Sequence, residues 1–281
     1  MTIAISGATG QLGTLVIEHL KTRVPAEHLR ALARSTSKAS RLGIAVKEAD
    51  YNRPDTLVTA LQNVQTLLLI SSSEIGQRKT QHSNIIDAAK QANVKRIVYT
   101  SLLHADTSPL SVAAEHRETE HDLKLSGIPY TILRNGWYSE NYTASIPAAI
   151  QAGVFIGSAG DGKISSASRA DFAQAAALVL TTEGHEGATY ELAGDEPYTL
   201  SQLAAEVSKQ TGKPMVYKNL PQAEYAAMLA QFGLPEPFAQ AIAAWDVDAS
   251  QGALFDDSKT LSRLLGRPTT PLSKAVENAL K

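Results

Sequence analysis

The stretch "SGATGQLG", residues 6–13, places three glycines three residues apart between two segments of regular pattern. Residues 3–5, "IAI", are typical of a short buried strand, and over residues 11–23 the apolar side chains recur at helical spacing. The sequence therefore predicts a strand, a glycine-rich turn and a helix at the start of the chain.

Each glycine of this turn has a distinct predicted role. Gly7 stands where a tight turn must leave the strand, and Gly10 where a side chain would keep a phosphate away from the helix N-terminus. Gly13 lies one turn into the helix, where close packing on the strand leaves no room for a Cβ atom. The spacing alone is weak and also fits a simple packing corner, but the strand before it and the helix after it favour a dinucleotide-binding turn.

Strand-like and helix-like segments alternate through the first half of the chain, which is typical of a doubly wound, mostly parallel α/β sheet of the Rossmann type. After about residue 145 the pattern changes to a smaller, helix-rich α/β region, with a hairpin predicted around residues 160–162. We expect an NADP-binding domain over residues 1–145, to which some later strands return, and a substrate-side domain over residues 146–281. The six predicted strands of the first half are residues 3–5, 29–34, 44–51, 65–73, 95–101 and 129–135.

The ends of the predicted strands carry the residues that would select the dinucleotide. Arg34 stands where an acid normally accepts hydrogen bonds from the ribose 2′-hydroxyl, and an arginine pairs instead with a 2′-phosphate. This favours NADPH over NADH, although Arg34 also fits a solvated surface residue. Asp50 is a candidate partner of the adenine amino group or a helix-capping residue, and residues 71–73, "SSS", are expected to contact the cofactor.

Composition excludes several classes of function. The chain has a net charge of −2 with no cluster of Lys and Arg, which argues against nucleic-acid binding. It contains no cysteine, so thiol catalysis, thiolate metal sites and disulfides are excluded, and no apolar run approaches the ~20 residues of a membrane span. The first residues lack a signal-peptide pattern, and a soluble cytoplasmic protein is expected.

Histidines do not form a recognisable metal motif. His116 and His121 are five residues apart, so they do not share a helix face, and the residues around them are charged. The run "EHRETEHDL", residues 115–123, is therefore predicted to be a solvated helix face without a metal site.

The motifs "GATGQLG", "YTSLLHAD" and "LRNGWYSENY", together with Arg34, resemble the NmrA-like branch of the short-chain dehydrogenase/reductase superfamily. Within that branch the whole chain is similar to bacterial type 2 quinone oxidoreductases and their triphenylmethane-reducing relatives. The resemblance implies two-electron reduction of a small planar quinone by direct hydride transfer from NADPH, with NADH weaker and neither flavin nor metal. Together with the charge and the short apolar runs noted above, it leaves no nucleic-acid or membrane partner expected, and a homodimer is compatible with it. The cofactor contacts that it implies are Gly7, Ala8, Thr9, Gly10, Gln11, Leu12, Arg34, Ser71, Ser72, Ser73, Thr100, Tyr138, Ser139, Glu140, Asn141, Tyr142, Thr143 and Arg169.

One departure from the superfamily bears on mechanism. Carbonyl-reducing members use a Tyr-x-x-x-Lys pair as proton donor, and none of the nine tyrosines here has a lysine four residues later. A quinone that accepts hydride becomes an aromatic hydroquinone anion, which can take its proton from water, so the missing pair favours a quinone acceptor. The alternative is a non-catalytic, NADP(H)-binding redox sensor that acts through protein partners.

Five side chains are candidates for contact with the substrate or for catalysis. No catalytic residue is certain, but Ser101, His104 and Tyr138 are the candidates for proton transfer. Asn135, Trp137 and His104 are candidates for contact with a planar acceptor. His104 also fits an ordinary surface loop, and Trp137 also fits the core.

Overall fold

The computed structural model describes residues 2–281 of the chain. These residues form two compact units. The first comprises the described residues up to Asp106, Val112–Asn135 and Arg169–Leu192, and the second comprises Thr107–Ser111, Gly136–Ser168 and Ala193–Lys281. The domain boundary at residue 145 stays a prediction, because compactness alone does not tell which segments fold independently.

Strands and helices alternate over most of the described chain. The strands are β1 (Ile3–Ile5), β2 (Leu29–Ala33), β3 (Ala45–Glu48), β4 (Thr66–Leu69), β5 (Arg96–Leu102), β6 (Tyr130–Asn135), β7 (Val154–Gly157), β8 (Thr189–Leu192) and β9 (Val216–Asn219). The helices are α1 (Gln11–Lys21), α2 (Thr36–Ala39), α3 (Pro54–Ala60), α4 (Arg78–Gln91), α5 (Ala113–Leu125), α6 (Glu140–Thr143), α7 (Ile146–Ala152), α8 (Arg169–Thr181), α9 (Leu200–Thr211), α10 (Gln222–Gln231), α11 (Glu236–Ser250), α12 (Thr260–Leu265) and α13 (Leu272–Ala279).

The first unit is built on a seven-stranded sheet in the order β3-β2-β1-β4-β5-β6-β8, in which every pairing is parallel. The strand order reverses between β1 and β4, so the sheet is doubly wound from its centre. The predicted fold class is confirmed, and β8 adds a seventh strand beside β6. Ligands of such sheets bind where the order reverses, outside the carboxyl ends of the strands.

Apolar strands explain why this sheet is covered on both faces. All four residues of β4 and all seven of β5 are buried, as expected for parallel strands between two layers of helices. On one side α1 packs against α8, with the buried stripe of α1 recurring at helical spacing from Leu12 to Leu20. The carboxyl edge of the sheet is therefore a rigid platform for the loops that follow each strand.

The second unit contains a two-stranded sheet in which β7 pairs in parallel with β9. The predicted hairpin around residues 160–162 is wrong, because the chain after β7 does not return along it, and Ile164 instead bridges Tyr198. The glycines serve a different purpose. A Cβ on Gly162 would overlap the Ala249 carbonyl and lie 2.7 Å from the Cα of Ser250, so Gly162 allows the loop to lie directly on the end of α11.

None of the helices described in residues 2–281 is both long enough and apolar enough to cross a membrane.

Candidate functional site

The glycine turn between β1 and α1 presents backbone groups to solvent. Gly7 adopts φ +59°, in the left-handed region that favours glycine, and Gly10 N–H donates to Gly7 O at 2.9 Å. Gly7 and Gly10 are both exposed. Helix α1 begins without a side-chain cap and without an acidic residue in its first turn. Its first N–H groups and its dipole can therefore hold an anion, and the turn fits a phosphate group.

Gly13 has the packing role that the sequence predicts for it. A Cβ atom there would overlap the Gly7 carbonyl oxygen and lie 2.9 Å from the Cα of Ala8. Real Cβ atoms do not approach backbone so closely, so the turn and the helix can meet only if residue 13 is glycine. Of the remaining turn residues, Ala8 and Leu12 are buried, Thr9 is half-buried and Gln11 is exposed.

Two side chains that the sequence reasoning missed hold this turn in place. Ser6 is buried, and its Oγ donates to Leu68 O at 3.0 Å and accepts from Ile70 N–H at 2.9 Å. The Tyr51 hydroxyl completes the arrangement by donating to Ser6 Oγ at 2.7 Å, and burial raises the Tyr51 pKa. The hydroxyls thus tie β1 to β4 at the point where the strand order reverses.

The predicted selector of the 2′-phosphate, Arg34, lies exposed just beyond β2. Its Nη1 is 2.8 Å from Oε1 of Glu74, an acid in the loop after β4 that the sequence reasoning did not single out. Asp50 lies half-buried in the turn before α3, where its Oδ1 accepts from Asn52 N–H at 2.9 Å. That contact stabilises the turn and leaves the adenine assignment of Asp50 a prediction.

The three predicted serines after β4 differ in their surroundings. Ser71 N–H donates to Thr100 Oγ1 at 3.0 Å, and Thr100 is buried. Ser72 is also buried, and its N–H donates to Nε2 of His82 at 3.0 Å, whereas Ser73 is exposed. Because Nε2 of His82 accepts, the ring is neutral with its proton on Nδ1, and burial lowers its pKa to about 3.

Side chains of helix α5 hold the loop between β4 and α4 in place. Oε1 of Glu115 accepts from the N–H groups of Gly76 and Arg78, and Arg78 Nε donates to Ser72 O at 2.5 Å. His116 is 5% exposed, and its Nδ1 lies 2.7 Å from the Tyr99 hydroxyl. The predicted solvated face is therefore wrong at residues 116, 119 and 120, which are buried, although His121 is exposed. Within residues 2–281 no group of three or more His, Asp or Glu is arranged to hold a metal ion.

The candidate Ser101 belongs to a buried ionic cluster at the end of β5. Its hydroxyl donates to Glu120 Oε1 at 2.6 Å. Arg134 donates to the same carboxylate, from Nε to Oε1 at 3.0 Å and from Nη2 to Oε2 at 2.8 Å. Arg134 also contacts Glu191 Oε1 at 2.7 Å, and these carboxylates raise its pKa. The hydroxyl proton of Ser101 is thus held by a carboxylate that is already paired with an arginine.

His104 lies next to this cluster in a strained loop. It adopts φ +52°, a region that histidine tolerates better than most residues, and its N–H donates to Glu191 Oε2 at 2.8 Å. Its Nδ1 is 3.7 Å from the same oxygen, and about a third of its side chain is exposed (36%). Of Ser101 and His104, His104 is the one whose side chain solvent or a substrate can reach.

Asn135, a predicted substrate contact, ends β6 beside Leu102 of β5. It is 5% exposed, and its side-chain Oδ1 has no hydrogen-bond partner among the described residues. An unsatisfied buried acceptor is costly, so this oxygen is suited to a donor on a ligand.

The second unit holds the predicted aromatic contact, Trp137, against two further aromatic residues. Trp137 and Trp245 meet edge to face with centroids 5.7 Å apart, and Phe238 meets Trp245 at 6.1 Å. Trp245 Nε1 donates to Ser111 Oγ at 2.9 Å, which fixes the ring. Phe238 is 45% exposed and Trp137 is half-buried, so the cluster offers an apolar surface to a planar molecule.

The predicted cofactor segment at residues 138–143 also belongs to the second unit, whereas Arg169 begins α8 in the first. Tyr142 is buried, and its hydroxyl donates to Asp246 Oδ1 at 3.1 Å. Ser139 is paired with Ser166, and Thr143 is buried, so their side chains are committed to the interior of the second unit. Exposed or half-buried surface remains on Tyr138, Glu140, Asn141 and Arg169.

Known proteins resemble the chain over its full length. A family model described as NAD(P)H-binding matches residues 7–183. Quinone oxidoreductase 2 of Escherichia coli strain K12 is 61% identical over 279 residues, which cover 98% of each chain. The crystal structure of an NADPH-dependent quinone oxidoreductase from Escherichia coli, complexed with NADPH, matches with a TM-score of 0.97 and 60% identity over 100% of both chains. Triphenylmethane reductase of Citrobacter sp., complexed with NADP(H), matches with a TM-score of 0.96 and 39% identity over 99% of this chain and 100% of that one.

Proposed function

The chain belongs to the NAD(P)H-binding family, and from that premise we propose that it is an enzyme that reduces quinones by two electrons with NADPH. The observation that carries the proposal is the 61% identity to a quinone oxidoreductase over 98% of both chains. The exposed, uncapped glycine turn at the reversal of the strand order agrees with it, because this is where a pyrophosphate binds in such sheets.

The proposed cofactor site follows the carboxyl edge of the first unit. The turn from Gly7 to Leu12 binds the pyrophosphate, Arg34 pairs with the 2′-phosphate, and the serine loop at residues 71–73 lies along the cofactor with Thr100 behind it. Asp50 binds the adenine side, and residues 138–143 and Arg169 supply the remaining contacts. NADPH is preferred over NADH because a guanidinium pairs with the charged 2′-phosphate and cannot accept a hydrogen bond from a free ribose 2′-hydroxyl.

Proton transfer needs no dedicated acid in this proposal. NADPH, when bound, supplies the hydride, and the quinone product takes its proton from water. The Ser101 hydroxyl donates its hydrogen bond to Glu120 Oε1 at 2.6 Å, which disfavours Ser101 as a proton donor to the substrate. His104, Asn135 and Trp137 position the acceptor, since orientation is the main requirement of such a reaction. Neither flavin nor metal takes part, and the absence of cysteine fits a cytoplasmic compartment.

The test is steady-state oxidation of NADPH with a simple naphthoquinone, which separates an enzyme from a redox sensor. Turnover supports the proposal, and binding of NADPH without turnover supports the sensor.

Under saturating NADPH, Ser101→Ala, His104→Ala and Tyr138→Phe should each lose less than about tenfold in rate, because loss of a general acid costs about 10²–10⁴-fold. A loss of about a thousandfold in one variant, with NADPH binding intact, would reveal a dedicated proton donor. Bound flavin in the purified protein would overturn the mechanism, and sedimentation would show whether it is a homodimer.

A further inference from the structure

An acid faces Arg34 from the loop after β4. Glu74 follows the three serines after β4, and its Oε1 lies 2.8 Å from Arg34 Nη1, with 68% of the Arg34 side chain and 39% of the Glu74 side chain exposed. Exposed pairs of this kind contribute little to folding stability. The pair therefore matters for what Arg34 can bind rather than for the fold.

Buried groups hold the Glu74 carboxylate in this position. Its Oε2 accepts from Nε2 of Gln81 at 2.8 Å, and Gln81 is 1% exposed. Its N–H donates to Ser72 Oγ at 3.1 Å, in the loop that His82 and Arg78 fix from below.

The orientation of Gln81 shows that this placement has a cost. The second contact of Nε2 is Asn52 Oδ1 at 3.3 Å, so both partners of the amide nitrogen are acceptors. Oε1 of Gln81 is buried and has no hydrogen-bond partner among residues 2–281, which is normally unfavourable. A buried amide is thus left half-satisfied while it holds a half-exposed carboxylate beside Arg34.

The chemistry of the pair determines what it recognises. A 2′-phosphate needs the Arg34 guanidinium, and Glu74 both competes for that guanidinium and repels the phosphate. A carboxylate is also the group that accepts from a free ribose 2′-hydroxyl in NAD sites, where it normally ends the second strand. Here the second strand ends in the arginine, and the acid is supplied from the loop after β4.

We propose that Glu74 is a specificity-determining residue, which weakens NADPH binding by competing for Arg34 and supports NADH binding by accepting from its 2′-hydroxyl. The inference rests on the proposed function, since it assumes that the turn and Arg34 bind a nicotinamide dinucleotide.

Glu74→Gln tests the inference, because the amide keeps the shape of the side chain and removes its charge. The dissociation constants of NADPH and NADH are measured by cofactor fluorescence at low and at physiological salt. We expect NADPH to bind about three- to tenfold more tightly and NADH about three- to tenfold more weakly at low salt, with the NADPH gain smaller at higher salt. A competition with 2′,5′-ADP and with ADP assigns the NADPH effect to the 2′-phosphate if only 2′,5′-ADP binds the variant more tightly.

The matched control is Glu118→Gln in the same unit. Glu118 pairs with Lys79 at 3.2 Å, and the side-chain exposures of 66% for Lys79 and 43% for Glu118 resemble those of the Arg34–Glu74 pair. This variant should leave both dissociation constants unchanged. In an Arg34→Ala background, Glu74→Gln should give a smaller gain in NADPH binding than in the parent, since the competition for Arg34 is gone and only the repulsion between Glu74 and the phosphate remains.

An unchanged ratio of the two dissociation constants in Glu74→Gln overturns the inference, as does an undiminished gain for NADPH in the Arg34→Ala background. Failure of the proposed function looks different. The unaltered chain would then bind neither dinucleotide, or bind NADPH without reducing a quinone.

Discussion

Substituting alanine for Gly13 and, separately, for Gly10 distinguishes the two roles assigned to the turn. A Cβ on Gly13 overlaps the Gly7 carbonyl oxygen and lies 2.9 Å from Ala8 Cα and 3.0 Å from Gly7 C, all of them backbone atoms that no rotamer change can move. A Cβ on Gly10 meets only Gly7 O, at 3.2 Å, and a shift of a few tenths of an ångström relieves it. Gly13→Ala therefore strains the fold, and Gly10→Ala does not.

The magnitudes follow from these contacts. Overpacking costs about 1–3 kcal/mol of folding free energy, and Gly13→Ala lies at the upper end because the helix backbone would have to move away from the turn. The higher helix propensity of alanine offsets about 1 kcal/mol of that cost. The net loss of about 2 kcal/mol lowers the melting temperature by roughly 4–8 °C at the scaling typical of chains this large. Gly10→Ala replaces a tolerated N-cap by a poor one and should lose less than about 1 kcal/mol.

The assay is a far-UV circular dichroism melt without added dinucleotide, followed by titration with NADPH. Gly10→Ala should melt near the parent chain yet bind NADPH at least about tenfold more weakly, since the phosphates proposed to bind this turn would meet the added methyl group. Gly13→Ala should lose both stability and binding. A Gly13→Ala variant that melts with the parent would refute the packing argument, and a Gly10→Ala variant that binds normally would refute the phosphate assignment.

Two further predictions concern pH and have opposite signs in the two units. Burial lowers the pKa of His82 and of His116 from 6.5 to about 3, so their contribution to stability is fully present above pH 6.5 and is lost as pH falls toward 3. Urea melts of the parent chain, followed by tyrosine signals, should show this loss. A His116→Gln variant with an unchanged acid transition would contradict it. Burial raises the pKa of Asp246 to about 6 from 3.8, so its contribution is present below pH 4 and is lost as pH rises through 6. Both tryptophans, Trp137 and Trp245, lie in the second unit, so a tryptophan fluorescence melt should show this loss in the parent and not in Asp246→Asn, and equal pH slopes in the two proteins would contradict it.

The sheet of the first unit could be predicted because its determinants are local. Runs such as "TLLLI" at residues 66–70 carry the strand signal within themselves, and the glycine turn marks where the first strand ends. The family resemblance drawn from the motifs is confirmed by the match to the NAD(P)H-binding model and by the identity to quinone oxidoreductase 2. The hairpin prediction was wrong because the determinant there is not local. Gly162 is required by its close approach to the backbone of Ala249, and no local sequence pattern indicates a contact between residues 87 positions apart.

The helix at residues 113–125 shows how charge can mislead a sequence-based prediction. A run of Glu, His and Arg is usually solvated, because each charge loses its hydration when buried. Glu120 escapes that cost only because Arg134, on the next strand, meets it with two N–H groups, and Ser101 adds a third hydrogen bond. The partner is invisible until β5 and β6 are known to be neighbours.

The same limit explains why Glu74 was missed beside Arg34. The motif normally places a ribose-reading acid at the end of the second strand, and this chain has an arginine there. In a parallel sheet, however, the carboxyl ends of all the strands lie at one edge. Only β1 separates β2 from β4, so the loop after β4 can extend past the glycine turn to the end of β2. Position relative to a motif predicts which chemistry is needed there, whereas strand order determines which residue supplies it. For this reason an acid forty positions beyond Arg34 can meet it at 2.8 Å, and the charge of that acid is the variable on which the choice between the two dinucleotides should depend.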